Sequence, residues 1–449
     1  NMDSNLMQLF NLLCSVPHPT YTYDPMVNLL KSILNENQID YKIDSHHNIL
    51  ATIPASEGFE NLPMISLQAH YDMVFVSDNN TSSQSPLSIF IEDGWVKARH
   101  TSLGADNCAG LAAILLPFIS HLNGHQIKEK NNQHGAVELL FTSDEETGLI
   151  GARNLEFKLN SKLHVNTDCE MANVIINGSA GGVRQIYTQK LELQQIPPNF
   201  QRLMIKFSGF NGGHTGFDLK TLKFNITNFI GKILTLVDCF VINIEVGKAM
   251  NSIPFEGEVV LAVENQQLVR ETIQQLYCFH TEFQKDKGSL GFINSPLEAK
   301  FGVISNRFEF LAKLPQEVLI DNQETNIAVT SQYLTILKLN ESNLEAQVYS
   351  RSLTSRGLDY AVQLNKCIFH GFEQQITNRY EPWEPKITEF TRLVQTMLRN
   401  CKIQPIHAGF ETSFLVTEGV EAVSIGPWIE NPHSVNEKLN LASFEQFYP

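Results

Sequence analysis

Short apolar runs alternate with amphipathic stretches over the first part of the chain, the texture of strands interleaved with helices. Apolar positions spaced for one helical face predict a helix over 24–35, while compact apolar runs predict strands over 48–53, 62–67, 137–141 and 162–165. Residues 107–118, dense in Ala and Leu, read as a further helix. Such alternation makes an α/β sheet covered by helices on both faces. In open sheets of this class, sites collect just beyond the carboxyl ends of the strands.

From about residue 181 the texture changes. Strands are predicted at 201–207, 240–245 and 258–263, and β-like runs at 298–310 and 333–339, with 346–350 pairing to the last. Helices fit 222–237, 268–283 and 357–372, and a glycine-rich loop fits 208–216. These are strand and helix units laid down roughly twice. Prolines then punctuate Glu381-Pro382-Trp383-Glu384-Pro385, followed by a helix at 387–399 and a strand at 422–425 that leads through Gly426-Pro427 to His433. The last segment therefore completes the first domain. The expected organisation is a catalytic α/β domain from 1–182 and 380–449, with a central, mostly parallel sheet, and an inserted α+β lid over 183–379.

Size supports two domains, since 449 residues with 43% apolar content exceed what one core of roughly 250–300 residues holds. Thirty-three basic against 48 acidic side chains leave a net charge of -15, which repels nucleic-acid backbones and anionic lipid. Neither partner is expected. The seven cysteines are odd in number, scattered and without a Cys-x-x-Cys pair, which fits a reducing cytoplasm. Residues 1–15 carry an acid and no base ahead of their apolar patch, unlike a secretory signal, and no run approaches the roughly 20 apolar residues of a membrane span.

Five clusters carry candidate chemistry: His70 with Asp72, Asp106, Glu145 with Glu146, Asp168, and His433. Each alone has an ordinary explanation. His70 and Asp72 alternate on extended backbone and form a polar pair; Asp106 reads as a helix N-cap; Asp144-Glu145-Glu146 reads as a solvated loop; His433 reads as a turn residue. Yet most of the clusters follow an apolar run directly. On extended backbone Glu145 and Glu146 would face opposite ways, one toward metal and the other toward substrate as a general base. Nitrogen and oxygen ligands of this kind suit zinc with a position left for water, and one carboxylate can bridge two cations about 3.5–4 Å apart.

The strings His70-Tyr71-Asp72-Met73, Leu103-Gly104-Ala105-Asp106-Asn107, Asp144-Glu145-Glu146-Thr147-Gly148, Asn166-Thr167-Asp168, Gly212-Gly213-His214-Thr215-Gly216, His407-Ala408-Gly409-Phe410-Glu411 and Ser424-Ile425-Gly426-Pro427 with Pro432-His433-Ser434 resemble the motifs of the Xaa-His dipeptidases. These are also called aminoacylhistidine or cytosolic non-specific dipeptidases, within a clan of zinc-dependent dipeptidases, tripeptidases, aminoacylases and carboxypeptidases. The match runs in family order from Pro17-His18-Pro19 to His433. It implies two zinc ions per chain, with cobalt or manganese as substitutes, bridged by Asp106. Glu146 and His433 complete one site, His70 and Asp168 the other. It further implies Glu145 as general base, Asp72 as the residue orienting the site, and His214 as oxyanion stabiliser from the lid. Asn251, Arg351, His407 and Glu411 match substrate-binding positions, the arginine suited to a carboxylate. Two positions depart from the pattern: Cys108 stands where relatives often have glycine, and Cys169 follows a ligand.

The implied reaction is hydrolysis of a dipeptide with a free N-terminus by a water shared between the cations, with Glu145 moving the proton. A lid holding Arg351 would exclude long peptides, and either Glu145 or Glu411 would meet the substrate amine. A lid of this size is expected to supply His214 in cis, in a monomer or a homodimer. A tripeptidase or N-acyl amino-acid amidohydrolase of the same clan shares the metal cluster and is the competing reading. A catalytically silent scaffold would show losses among ligands or base, and none is missing. No phosphate-binding loop or Gly-x-Ser-x-Gly elbow is present.

Overall fold

A computed structural model describes residues 4–127, 133–216, 218–219, 224–281, 286, 288–295, 299–399, 401–416 and 419–447. The chain forms two compact units, one of Asn1–Ser179, Pro385–Pro405 and Phe410–Pro449, the other of Ala180–Glu384 and Ile406–Gly409. The sequence-based divisions fall at 182/183 and 379/380, with 406–409 in the catalytic domain. The backbone explains that last difference: the Ala180 N–H donates to the carbonyls of Ile406 (3.1 Å) and Ala408 (3.0 Å).

Eight strands make the sheet of the first unit: β1 (Asp40–Ile43), β2 (Ile49–Ile53), β3 (Ile65–His70), β4 (Val137–Thr142), β5 (Leu163–Asn166), β6 (Val174–Ser179), β7 (Lys402–Ile406) and β8 (Glu421–Ser424). Their spatial order is β1-β2-β4-β3-β5-β8-β6-β7. The four central strands β4, β3, β5 and β8 run parallel. Every residue of β4 is buried, as expected for a parallel strand covered on both faces. In register, His70 lies opposite Thr142, Gln68 opposite Asn166, and Asn166 opposite Ser424. Four strand ends therefore open along one edge of the sheet.

The helix Ala105–Leu115 is buried along its whole length and packs against β3. Its small residues permit that approach: a Cβ on Gly110 would sit 2.3 Å from Thr167 Oγ1 and 2.7 Å from the Thr167 carbonyl. Helices Asn5–Cys14 and Asp24–Glu36 add Leu9, Phe10, Leu13, Met26, Leu30 and Leu34 to the same core.

The second unit is built on an 11-stranded sheet. Its first half carries Gln201–Ser208, the helix Ile226–Leu236, Phe240–Val246, Gly257–Val263, the helix Gln266–Thr281 and Ser289–Asn294. Taken in chain order, these strands lie side by side as fourth, first, third, second. The other half repeats that order with Gly181–Lys190, Ile327–Asn340, Asn343–Ser352 and Glu373–Tyr380, the helix Ser355–Ile368 preceding the last. The doubling is nested rather than tandem, because Gly181–Lys190 precedes the first half while its partners follow it. Strand Phe240–Val246 pairs with Ile327–Asn340 to join the halves.

The run expected to be β-like over 298–310 divides. Only Phe301–Ile304 is strand, and Ser305–Phe308 and Glu309–Lys313 are helical turns that bury Phe308 and Leu311. Those two side chains are spaced as on a helix, and a short apolar run does not separate the two periods. The expected ends of this run and of two helices, at Glu298, Leu222 and Phe283, lie outside the described residues.

His164 on β5 is 1% exposed, with Nδ1 2.7 Å from Ser66 Oγ, and burial pulls its pKa down to about 4. Unfolding returns it to about 6.5, so the unfolded chain takes up the extra proton between those values and native stability falls as pH drops through that window. Above pH 6.5 this stability is fully present. Denaturation of wild type and His164→Gln at pH 7, 6, 5 and 4 should show the wild type losing up to about 1.4 kcal/mol more per pH unit inside the window. Parallel pH dependence would exclude a neutral buried imidazole.

Candidate metal centre

β3 ends in His70, and two residues on Asp72 closes against it, with His70 Nδ1 3.0 Å from the Asp72 carbonyl and 3.5 Å from its carboxylate. The Asp72 carboxylate accepts from Thr20 Oγ1 (2.9 Å) and from the backbone N–H of Glu145 (2.9 Å) and Glu146 (3.4 Å). One acid thus ties the end of β3 to the turn after β4. That turn is not extended. Asp144 is left-handed (φ 48°) and Glu145–Thr147 form one 3-10 turn, so the extended backbone behind the expected opposed directions is absent, and a carboxylate oxygen of each glutamate instead lies within 4.8 Å of the other and of a His70 ring nitrogen. Asp144 is itself held by the Tyr21 N–H (2.9 Å) and the Tyr23 hydroxyl (2.6 Å).

Asp106 is not an N-cap. Gly104 takes that position with φ 67°, and the Asp106 carboxylate faces two imidazoles instead. Oδ1 lies 2.9 Å from His70 Nε2, and Oδ2 lies 3.1 Å from His433 Nε2. His70 Nε2 is also 3.3 Å from Asp168, which follows β5, and His433 Nε2 is 3.0 Å from Glu146. Three groups of possible ligands result among the described residues, His70 with Asp106 and Asp168, Glu146 and His433 with Asp106, and His70 with Glu145 and Glu146; in each, one donor atom per residue lies within 4.8 Å of the others. Glu145 Oε2 stands 4.0 Å from His70 Nε2.

The electrostatics show what these residues lack. Burial and the neighbouring Asp106 push the carboxyls of Glu146 and Asp168 up to about 7. Burial raises Glu145 well above the carboxylate range, with Glu146, Asp168 and Glu411 adding to it. Glu170 rises to about 10 through burial and the charges of Asp106 and Asp168. In the opposite sense, burial works to lower His433, yet its contacts with Asp106 and Glu146 outweigh this and raise it to about 11. Among the described residues no Lys or Arg pairs with any of these acids, and Glu146 Oε1 is buried without a partner. Buried carboxylates at this density require positive charge. A donor set of imidazole and carboxylate suits a divalent transition metal such as zinc.

Glu411 sits beside this cluster, fully buried, with Oε2 accepting from Gln68 Nε2 and Thr142 Oγ1 and Oε1 without a partner. Burial, with Asp168 and Asp72 adding to it, raises it to about 8. Cys108 and Cys169 are both buried.

His214, Asn251, Arg351 and His407 belong to the second unit. Arg351, 4% exposed, places Nε 3.2 Å from Thr215 Oγ1, Nη1 3.3 Å from the Tyr380 hydroxyl and Nη2 3.2 Å from His214 Nε2, with its guanidinium over the Tyr349 ring. No carboxylate among the described residues pairs with it. His407 Nε2 meets Ser331 Oγ at 2.8 Å, and burial together with Arg351 lowers its pKa to about 3, leaving a neutral ring. Asn251 is exposed and contributes its carbonyl to the Thr215 N–H (3.0 Å).

The sequence reading did not find Thr20, Asp144 with Tyr23, Glu170, or Glu437, whose carboxylate lies under the Asp106 loop. Asp144 stands in the string Asp144-Glu145-Glu146, Glu170 two residues after Asp168 and Glu437 four after His433. Thr20 and Tyr23 lie far from any of the five clusters in the chain, and only the fold brings them near.

Comparison with known proteins agrees with this chemistry. The chain is 28% identical to the cytosol non-specific dipeptidase of Escherichia coli (strain K12), over 99% of this chain and 95% of that one. The crystal structure of an aminoacylhistidine dipeptidase from Vibrio alginolyticus matches with a TM-score of 0.82 at 27% identity, covering 99% of this chain and 94% of that chain. A tripeptidase from Staphylococcus aureus subsp. aureus mu50 shares the fold, with a TM-score of 0.57 at 16% identity over 99% and 95% of the two chains. The model of Peptidase family M20/M25/M40 matches residues 66–448, so this chain belongs to that family and is a metal-dependent peptide hydrolase.

Proposed function

We propose that this M20 peptidase is a dipeptidase that cleaves substrates with a free N-terminus, using two zinc ions bridged by Asp106, with His70 and Asp168 on one and Glu146 and His433 on the other. The observation that carries this reading is the divided carboxylate of Asp106, itself buried, whose two oxygens each face a different imidazole in an acidic cluster that no Lys or Arg among the described residues neutralises. The two relatives with the higher identity are named as dipeptidases, which favours this reading over a tripeptidase or an N-acyl amino-acid amidohydrolase. The seven unpaired cysteines suit a cytosolic setting. No helix among the described residues is long and apolar enough to cross a membrane.

When bound, the cations supply Lewis acidity at the scissile carbonyl and acidify water toward neutral pH. The chain supplies the rest. Glu145, raised by burial, is suited to take a proton from the attacking water and return it to the leaving amine. Asp72 holds the backbone of Glu145 and the ring of His70 in one arrangement. Glu411, with a free buried oxygen, is the better placed of the two candidate acids for the substrate ammonium, since Glu145 has the proton transfer to perform. Arg351, a buried guanidinium without an acidic partner among the described residues, fits the substrate's terminal carboxylate. His214 is assigned to the oxyanion.

Metal analysis after chelation and refilling should give two zinc ions per chain and activity that follows their content; undiminished hydrolysis by metal-free protein would end the reading. Glu145→Gln should keep both cations and lose about 10²- to 10⁴-fold in kcat. Wild-type turnover by that variant would exclude the base assignment. On a substrate panel, free dipeptides should be cleaved and N-acetylated dipeptides and tripeptides should not. Arg351→Met should raise KM for free dipeptides about 10- to 100-fold and leave dipeptide amides little changed. Equal effects on both would remove Arg351 from carboxylate recognition.

A further inference from the structure

Glu437 lies four residues after His433 and is 3% exposed. Its carboxylate accepts four consecutive backbone N–H groups: Leu103 at 2.7 Å and Gly104 at 3.0 Å on Oε2, Ala105 at 2.8 Å and Asp106 at 3.3 Å on Oε1. Such a run of donors converges only because Gly104 is left-handed (φ 67°), which folds the segment into an anion-binding concavity. A side chain at Gly104 would press on Met73 Sδ at 2.9 Å and His18 Nε2 at 3.0 Å, so the turn is also sterically held. No basic side chain among the described residues shares the carboxylate. Its partners are the backbone of the segment that carries Asp106.

The other end of the connection is equally short. The Glu437 N–H donates to the Ser434 carbonyl (3.1 Å), the Asn436 N–H to Ser434 Oγ (3.1 Å), and Ser434 Oγ–H to the Asn431 carbonyl (2.7 Å), which makes 431–437 one compact turn. That turn therefore presents His433 to one oxygen of Asp106 while it grips the Asp106 backbone from beneath. A cap serving helix stability alone would satisfy the same N–H groups, but it would not have to come from the turn that also carries an imidazole of the centre.

We propose that Glu437 is a positioning residue for the metal centre: by clamping residues 103–106 from the His433 turn, it fixes the separation of Asp106 and His433 and so sets the affinity of the Glu146–His433 cation position. This rests on the assignment of Asp106 and His433 as ligands. Partners that orient ligands in this way typically change metal affinity 10- to 100-fold when removed.

Glu437→Gln keeps the size and one acceptor but turns an amide NH₂ toward the N–H groups, and Glu437→Asp keeps the charge on a shorter arm. Apo full-length protein of each would be titrated with Zn²⁺ and, separately, with Co²⁺, whose visible absorption reports coordination. Expected results are a 10- to 100-fold weaker second cation for Glu437→Gln with an altered cobalt band, near wild-type KM, kcat largely recovered at saturating metal, and an intermediate affinity for Glu437→Asp. Wild-type affinity and cobalt spectrum in Glu437→Gln, with only its thermal midpoint lowered, would reduce Glu437 to a helix cap. Should Glu437→Gln fail to fold, Glu437→Asp decides alone, and unchanged affinity there overturns the proposal. His433→Ala run alongside separates the two ideas: if it loses one cation while Glu437→Gln loses none, only the positioning role fails; if it keeps both, the ligand assignment itself is wrong.

Discussion

Charge balance in one buried spot governs the first unit. Asp106, Glu145, Glu146 and Asp168 meet with only His70 and His433 for company, and no guanidinium or ammonium offsets them among the described residues. Desolvating even one unpaired carboxylate is costly, and gathering several multiplies the cost. The consequences appear in both directions, acids held toward their protonated forms and His433 held toward its cation. A protein that keeps such an arrangement needs positive charge to complete it, in keeping with the metal dependence of its family.

The fold delivers these acids through strand direction. Three of the clusters follow β3, β4 and β5, which lie side by side and parallel, so their carboxyl ends open at one edge in register. Asp106 comes from the start of the buried helix behind β3, and His433 from a turn beyond β8. Supporting groups then lock each contributor: Asp72 for the Glu145 turn, Tyr21 and Tyr23 for Asp144, and the Glu437 carboxylate for residues 103–106. A centre assembled from five stretches of chain depends on such ties, since each stretch alone would wander by more than a coordination bond tolerates.

The second unit follows another logic. Two four-strand halves with the same spatial order share one sheet, and the chain enters the outer half, builds the inner one, and returns to finish the outer. Its buried arginine, Arg351, is stacked on Tyr349 and hydrogen-bonded to Thr215 and Tyr380, with no carboxylate partner among the described residues. The planar fork keeps its charge under burial and presents paired donors to a carboxylate, which an exposed lysine would not do as selectively.

Local chemistry made much of this legible in the chain itself. Apolar runs located β2 to β5 and most helices, because burial on both faces leaves a continuous signature. The candidate site residues were readable since His70, Glu145, Glu146 and Asp168 stand directly after such runs, where a solvated loop has no reason to place them so regularly. What the chain could not disclose was partnership. Asp106 had the composition of an N-cap, and only the tertiary fold turned it toward two imidazoles and gave the capping role to Glu437, 331 residues away. The 3-10 turn at Glu145, the helical turn hidden in 298–310, the nested order of the second sheet and the placing of 406–409 were likewise decided by long-range hydrogen bonds and packing. Residue type states which bonds a side chain is able to make; the folded chain determines which partner is within reach.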